Sequence, residues 1–145
     1  MKYWTLVLAV MGMPAAALAQ GTVPDLKGTW TGTGPSVVYG TTQHHPGAGS
    51  DDTPRIHEIE FTLAVTGQEG RNLWGHNYSK LADINEPFAW SLSSSGRTGI
   101  GADTDGYYQI AVESADVMEV CYAQNRLGPS HSIITACRTY KRVKR

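Results

Sequence analysis

The 145-residue chain predicts an all-β fold: an eight-stranded antiparallel up-and-down barrel. Three observations point to it. Apolar residues recur with a period of two in segment after segment. Gly, Asp, Asn, Ser and Pro fill the intervals. No stretch keeps helical spacing for long. Eight short-linked antiparallel strands close naturally on themselves, which leaves no sheet edge exposed. A two-sheet sandwich is the structural rival, but it normally needs longer crossovers than this chain offers.

Ahead of the strands, residues 1–19 read as a secretion signal. Lys2 supplies the positive start, Tyr3 to Met13 is apolar, and Ala17-Leu18-Ala19 is a small-x-small cleavage site before Gln20. The apolar run is shorter than the roughly 20 residues a membrane span needs. Residues 20–145 are then one barrel domain, periplasmic or extracellular, with no membrane contact after cleavage. Lys and Arg number 12 against 13 Asp and Glu, a formal net charge of −1. That balance gives no reason to expect nucleic acid as a partner. The basic tail of Arg138, Lys141, Arg142, Lys144 and Arg145 reads as a solvated strand terminus.

The strand candidates run over about 28–42, 56–66, 71–80, 87–95, 97–102, 106–113, 117–124 and 131–142. Gly67 to Gly70, Gly96, Asp103 to Gly106, Ser114 to Asp116 and Gly128-Pro129 have hairpin-turn chemistry. Alternation sorts the faces. Ile59, Phe61, Leu63 and Val65 point inward, as do Phe88, Trp90 and Leu92, and Tyr108, Ile110 and Val112. Met118, Val120 and Tyr122 face Ile134, Ala136, Arg138 and Tyr140 in the last hairpin. Cys121 and Cys137 fall on the opposite, outward face. With Gly128-Pro129 at the hairpin centre they stand directly opposite, close enough for a cross-strand disulfide. Export favours that bridge, and no Cys-x-x-Cys spacing suggests a metal instead.

Two regions hold candidate chemistry. Trp74, His76 and Tyr78 share a face of the third strand. Facing the lumen, with Trp90, Tyr108 and the strand-leading His57, they would offer aromatic platforms and imidazoles to a planar ligand. The alternate residues Leu73, Gly75, Asn77 and Ser79 look like a poor core set, which favours that orientation. The long polar connector 41–55 suits a lid over the mouth and carries His44, His45, Asp51 and Asp52. Adjacent histidines diverge in an extended segment and no fixed ligand spacing is present, so a solvated loop is the expectation and no metal or other cofactor is assigned. Catalysis has little support: no Gly-x-Ser-x-Gly elbow accompanies the serine clusters. Asp103 and Asp105 read as turn formers. The expectation is not an enzyme.

The opening Gly28-Thr29-Trp30, the meander of eight strands and the inward Arg138 resemble the calycins, small barrels that include lipocalins and avidins. In that superfamily a cation on the last strand covers the tryptophan of the opening Gly-x-Trp. The resemblance therefore implies barrel closure by Gly28, Trp30 and Arg138, with Arg142, of the same parity, as substitute. The two chain ends look more like avidins, but the biotin-holding residues find no match.

Two functions follow as expectations. The first is a barrel that binds a small apolar or aromatic ligand in its lumen. The second is a protein-interaction barrel, similar to bacterial protease inhibitors of this shape, using rim loops or the segment Gln20 to Asp25 as a free trunk. The partner is a small molecule or a secreted protein. A lumen of roughly 300 Å³ or more separates the two in favour of the ligand.

Overall fold

A computed structural model of the chain describes residues 23–40, 53–79, 84–125 and 132–144. The strands are β1 (Gly28–Tyr39), β2 (Arg55–Glu69), β3 (Asn72–Ser79), β4 (Ile84–Leu92), β5 (Thr98–Ala102), β6 (Gly106–Val112), β7 (Val117–Gln124) and β8 (Ile133–Arg142). Each pairs antiparallel with its neighbour in sequence, and β8 returns to β1, closing the barrel. The expected all-β up-and-down architecture is observed. The first hairpin differs in detail: β2 runs on to Glu69 across a bulge between Val65 and Gly67, so the turn tightens to Gly70-Arg71.

The inward faces of β2, β4, β6, β7 and β8 form the core as alternation requires, around the buried Trp30, Leu63, Leu73 and Met118. An eight-stranded barrel is just wide enough for side chains to fill. Here large rings are accommodated by glycines on adjoining strands. A Cβ on Gly101, paired with Trp90, would lie 1.9 Å from the indole Cδ1. One on Gly75, paired with Phe88, would lie 1.9 Å from the Ala64 carbonyl oxygen and 2.9 Å from the Phe88 ring.

That complementarity corrects the reading of β3. Its inward residues are Leu73, Gly75, Asn77 and Ser79, while Trp74 and Tyr78 are exposed and His76 is half-buried on the outer face. Pairing enforces this, because Asn77 lies opposite the inward Leu63 and Gly75 opposite the inward Val65. The small set that looks like a poor core is what the rings of Phe88 and Trp90 leave room for. Trp74 instead lies outside over Gly67, where a Cβ would come within 2.1 Å of its ring.

One end of the barrel is sealed. Trp30 is wholly buried and donates its indole N–H to the Leu26 carbonyl at 3.0 Å. The cation over its ring is Arg142, 4.3 Å from the centroid and directly opposite in the β1–β8 register. Arg138, four residues earlier on the same face of β8, covers Phe61 at 4.7 Å instead. The closure role therefore belongs to the substitute, Arg142, and not to Arg138. The reason is register, since only residue 142 comes level with Trp30. Arg142 also donates to the carbonyls of Asp25 and Lys27 and of Ala115, and to the Asp116 carboxylate at 3.1 Å. Gly28 has φ +132°, a conformation other residues rarely adopt, with the Arg142 guanidinium 3.1 Å from where a Cβ would stand.

These contacts also correct the picture of a free trunk over its last residues. Gln68 Nε2 donates to the Pro24 carbonyl at 2.9 Å, and its Oε1 accepts from the Leu26 amide at 2.8 Å. Pro24 and Asp25 are thus tied to the barrel base. Residues 20–22 lie outside the described residues, as do residues 1–19.

Cys121 and Cys137 are directly opposed and bonded, with the Cα atoms 4.0 Å apart, on the outward face. A disulfide is compatible with an oxidising compartment such as the periplasm or extracellular space.

Candidate functional site

The other end of the barrel holds a cavity among the described residues. It is the end at which β1, β3, β5 and β7 finish and β2, β4, β6 and β8 begin. The connector carrying His44, His45, Asp51 and Asp52 joins the strands here, and those four residues lie outside the described residues. A cavity descends from this end between Arg138, Ser36, Asn77, Tyr108, Tyr122 and Gln124, with Phe61 and Tyr140 below.

The space in it that water-sized guests can occupy is about 30 Å³, room for about one or two waters. Counting the part open to solvent, it reaches about 450 Å³. The interior is therefore filled, and the roughly 300 Å³ a drug-sized guest occupies is not enclosed. An apolar ligand of that size therefore has no room in the lumen as packed, and what remains is a small cavity with a polar floor.

The floor is a polar layer within the barrel. Below it stands the main core, and above it Val38 and Ile134 form a small second cluster. Tyr122 packs against both. Arg138 is 6% exposed and donates from Nη2 to the Ser36 hydroxyl, which is wholly buried. Its Nε–H has no hydrogen-bond partner, and neither does the side-chain oxygen of the buried Asn77. Gln124 donates to the Ser132 hydroxyl at 3.1 Å. Burial lowers the Arg138 pKa, an effect that neighbouring Tyr140 opposes.

At the rim the β5–β6 turn supplies Asp103. Its carboxylate accepts from the amides of Asp105 and Gly106, 3.0 and 2.8 Å away, which is the turn-forming role its sequence context predicts. It also accepts the Tyr108 hydroxyl at 2.5 Å, while the Tyr122 hydroxyl lies 3.4 Å from it and 3.3 Å from the Gln124 side-chain oxygen. Desolvation raises the pKa of both phenols well above the usual value, and the adjacent Asp103 charge adds to it. Burial pushes Tyr140 up to about 12, against the pull of Arg138.

Of the residues named from sequence, Tyr108 lines this cavity. Trp90 points inward but is locked in the core, stacked on Phe88 at 4.4 Å. His57 is half-buried at the cavity end, opposite Ser36. Trp74, His76 and Tyr78 are on the outer surface and do not reach the cavity. Ser36, Asn77, Asp103, Tyr122 and Gln124 were not foreseen as site residues. The signal for Asn77 was present, as a polar residue on the parity that pairs with Leu63.

No family model matches the chain, and no curated protein matches it. Among solved structures it is similar to an S-type phycobiliprotein lyase of Guillardia theta, 11% identical, with 82% of this chain and 89% of that one covered, at a TM-score of 0.35. At that distance no residue role passes from one to the other.

Proposed function

We propose that this is an exported, non-catalytic barrel that binds a small molecule at its cavity end. A polar head group would rest on the Arg138 layer, and the apolar or aromatic body would lie in the mouth beside Tyr108 and Tyr122. The observation that supports the reading is a cavity, lined among the described residues, that is floored by buried polar groups left unpaired. Such groups are costly in an apolar interior unless something satisfies them. The groups gathered there, a guanidinium, phenols and amides, suit recognition by hydrogen bonding.

A second reading is a protein partner. The filled interior supports it, as do the exposed apolar residues Val37, Ile56 and Ile133 near the cavity end, which are 41%, 77% and 40% exposed. Native mass spectrometry of the mature protein purified from its own host decides between them. A bound small molecule is expected. Empty protein that instead titrates a secreted protease would overturn the ligand reading.

A further inference from the structure

We propose that the head group taken up at this end is a small carboxylate, held by Arg138. This deepens the ligand-binding reading and rests on it. Arg138 is nine-tenths buried, its guanidinium lines the cavity, and its contacts are a neutral hydroxyl, the phenol of Tyr140 and the face of Phe61. Among the described residues no carboxylate contacts it. Two carboxylates share the cavity: Asp103, whose oxygens are engaged by two backbone amides and by phenols, and Glu86, which accepts from the Thr104 hydroxyl; neither is among the groups that act on Arg138.

A buried cation with an unused Nε–H lacks both charge compensation and one hydrogen bond. The partner that supplies both is a planar two-oxygen anion, which the guanidinium fork grips along one edge once the side chain turns its buried Nε–H toward the cavity. Size agrees. The cavity has room for about one or two waters, which limits the buried part of a guest to a group about the size of a carboxylate. Asn77 fits the same guest, because turning its amide by half a revolution presents an NH₂ donor in place of the unpaired oxygen. A longer apolar tail has no room below and would project towards the mouth.

The experiment follows the Arg138 side-chain Nε–H resonance, and the backbone amides of Ser36 and Asn77, by ¹H–¹⁵N NMR during titration with propionate. Propionamide is the neutral isostere, and chloride and phosphate are the inorganic anions. Propionate is expected to shift all three signals saturably, while propionamide leaves them unmoved. Arg138→Met and Arg138→Gln are expected to weaken propionate binding by about 10- to 100-fold, read at Ser36 and Asn77, the range for loss of a charge-assisted bond. Two variants guard against one failing to fold.

Equal shifts with propionamide would overturn the carboxylate assignment and leave the ligand-binding reading intact. So would a response to chloride or phosphate alone, or propionate binding that survives in both variants. No response to any probe overturns the inference. The wider reading falls separately, if protein from the native host carries no small molecule.

Discussion

Two arginines four residues apart on β8 do opposite things to stability. Arg142 is partnered by three carbonyl-bearing residues, one carboxylate and the Trp30 ring, and it joins the N-terminal segment, β1 and the β6–β7 turn. Arg142→Ala removes charge-assisted bonds and a cation–π contact together. It is expected to destabilise by about 2–4 kcal/mol, measured as a fall in the midpoint of urea unfolding. Arg142→Lys recovers part of this at most, because an ammonium cannot spread its donors as the planar fork does. Arg138 is buried with little compensation, so Arg138→Met exchanges an underpaid cation for an apolar chain of similar length. It is expected to stabilise the ligand-free protein by about 1–3 kcal/mol. A lower unfolding midpoint for Arg138→Met would mean that the guanidinium holds the barrel together. The two substitutions have opposite signs, which separates a closure residue from a recognition residue.

At the scale of elements, β3 shows where reading the sequence stops. Most strands announce their inward face by putting Ile, Leu, Val or aromatic residues on one parity, as β2 does with Ile59, Phe61, Leu63 and Val65. β3 offers Trp74 and Tyr78 on one parity and Leu73, Gly75, Asn77 and Ser79 on the other. Within the strand, hydrophobicity favours the first set. Its true orientation is fixed by what β2 and β4 already place in a narrow lumen, namely Leu63, Phe88 and Trp90. Likewise Arg142 and Arg138 have the same parity, and only the register in which β8 meets β1 tells which one covers Trp30. The strand number, the outward disulfide and the inward Arg138 are legible locally; volume sharing and closing register are properties of pairs of strands. The orientation of β3 is directly measurable in solution. Trp74 is 47% exposed, whereas Trp30 and Trp90 are buried. Iodide is therefore expected to quench a single tryptophan of the mature protein, and Trp74→Phe to abolish nearly all quenching. Trp74→Phe is also expected to leave propionate binding at Arg138 unchanged. Quenching that persists in Trp74→Phe would mean that Trp90 or Trp30 reaches solvent, and so that the lumen is wider than its packing indicates.

The whole molecule is a barrel with one dry end and one polar end, and this asymmetry governs its response to alkali. At the dry end Trp30, Leu26 and Arg142 shut out water. Toward the cavity end Tyr108, Tyr122 and Tyr140 hold three phenols within or beneath the polar layer. Each is raised above its ordinary value of 10.0, first by desolvation, with the Asp103 charge adding to Tyr108 and Tyr122. An acid whose folded pKa is raised keeps its proton in the folded state after the unfolded chain has lost it. The stability this linkage protects is intact below pH 10 and declines as pH rises above it, through about 12 for Tyr140. One such group costs about 1.4 kcal/mol per pH unit in this window, so three acting together give a slope on the order of 4 kcal/mol per unit. A small domain has only about 5–15 kcal/mol in hand. A barrel at the lower end of that range is therefore expected to unfold cooperatively from about pH 11 upward, before the buried phenols can ionise in place. Absorbance at 295 nm should record their ionisation in step with the loss of near-ultraviolet circular dichroism. Phenolate absorbance from these three tyrosines in a still-folded protein would show that water enters the polar layer freely. Tyr122→Phe should reduce the slope by about one third, because it removes one of the three coupled protons. The same variant takes away the hydroxyl that lies between Asp103 and Gln124. Its effect on propionate binding then reports whether the polar layer acts as one unit or whether Arg138 holds the anion alone.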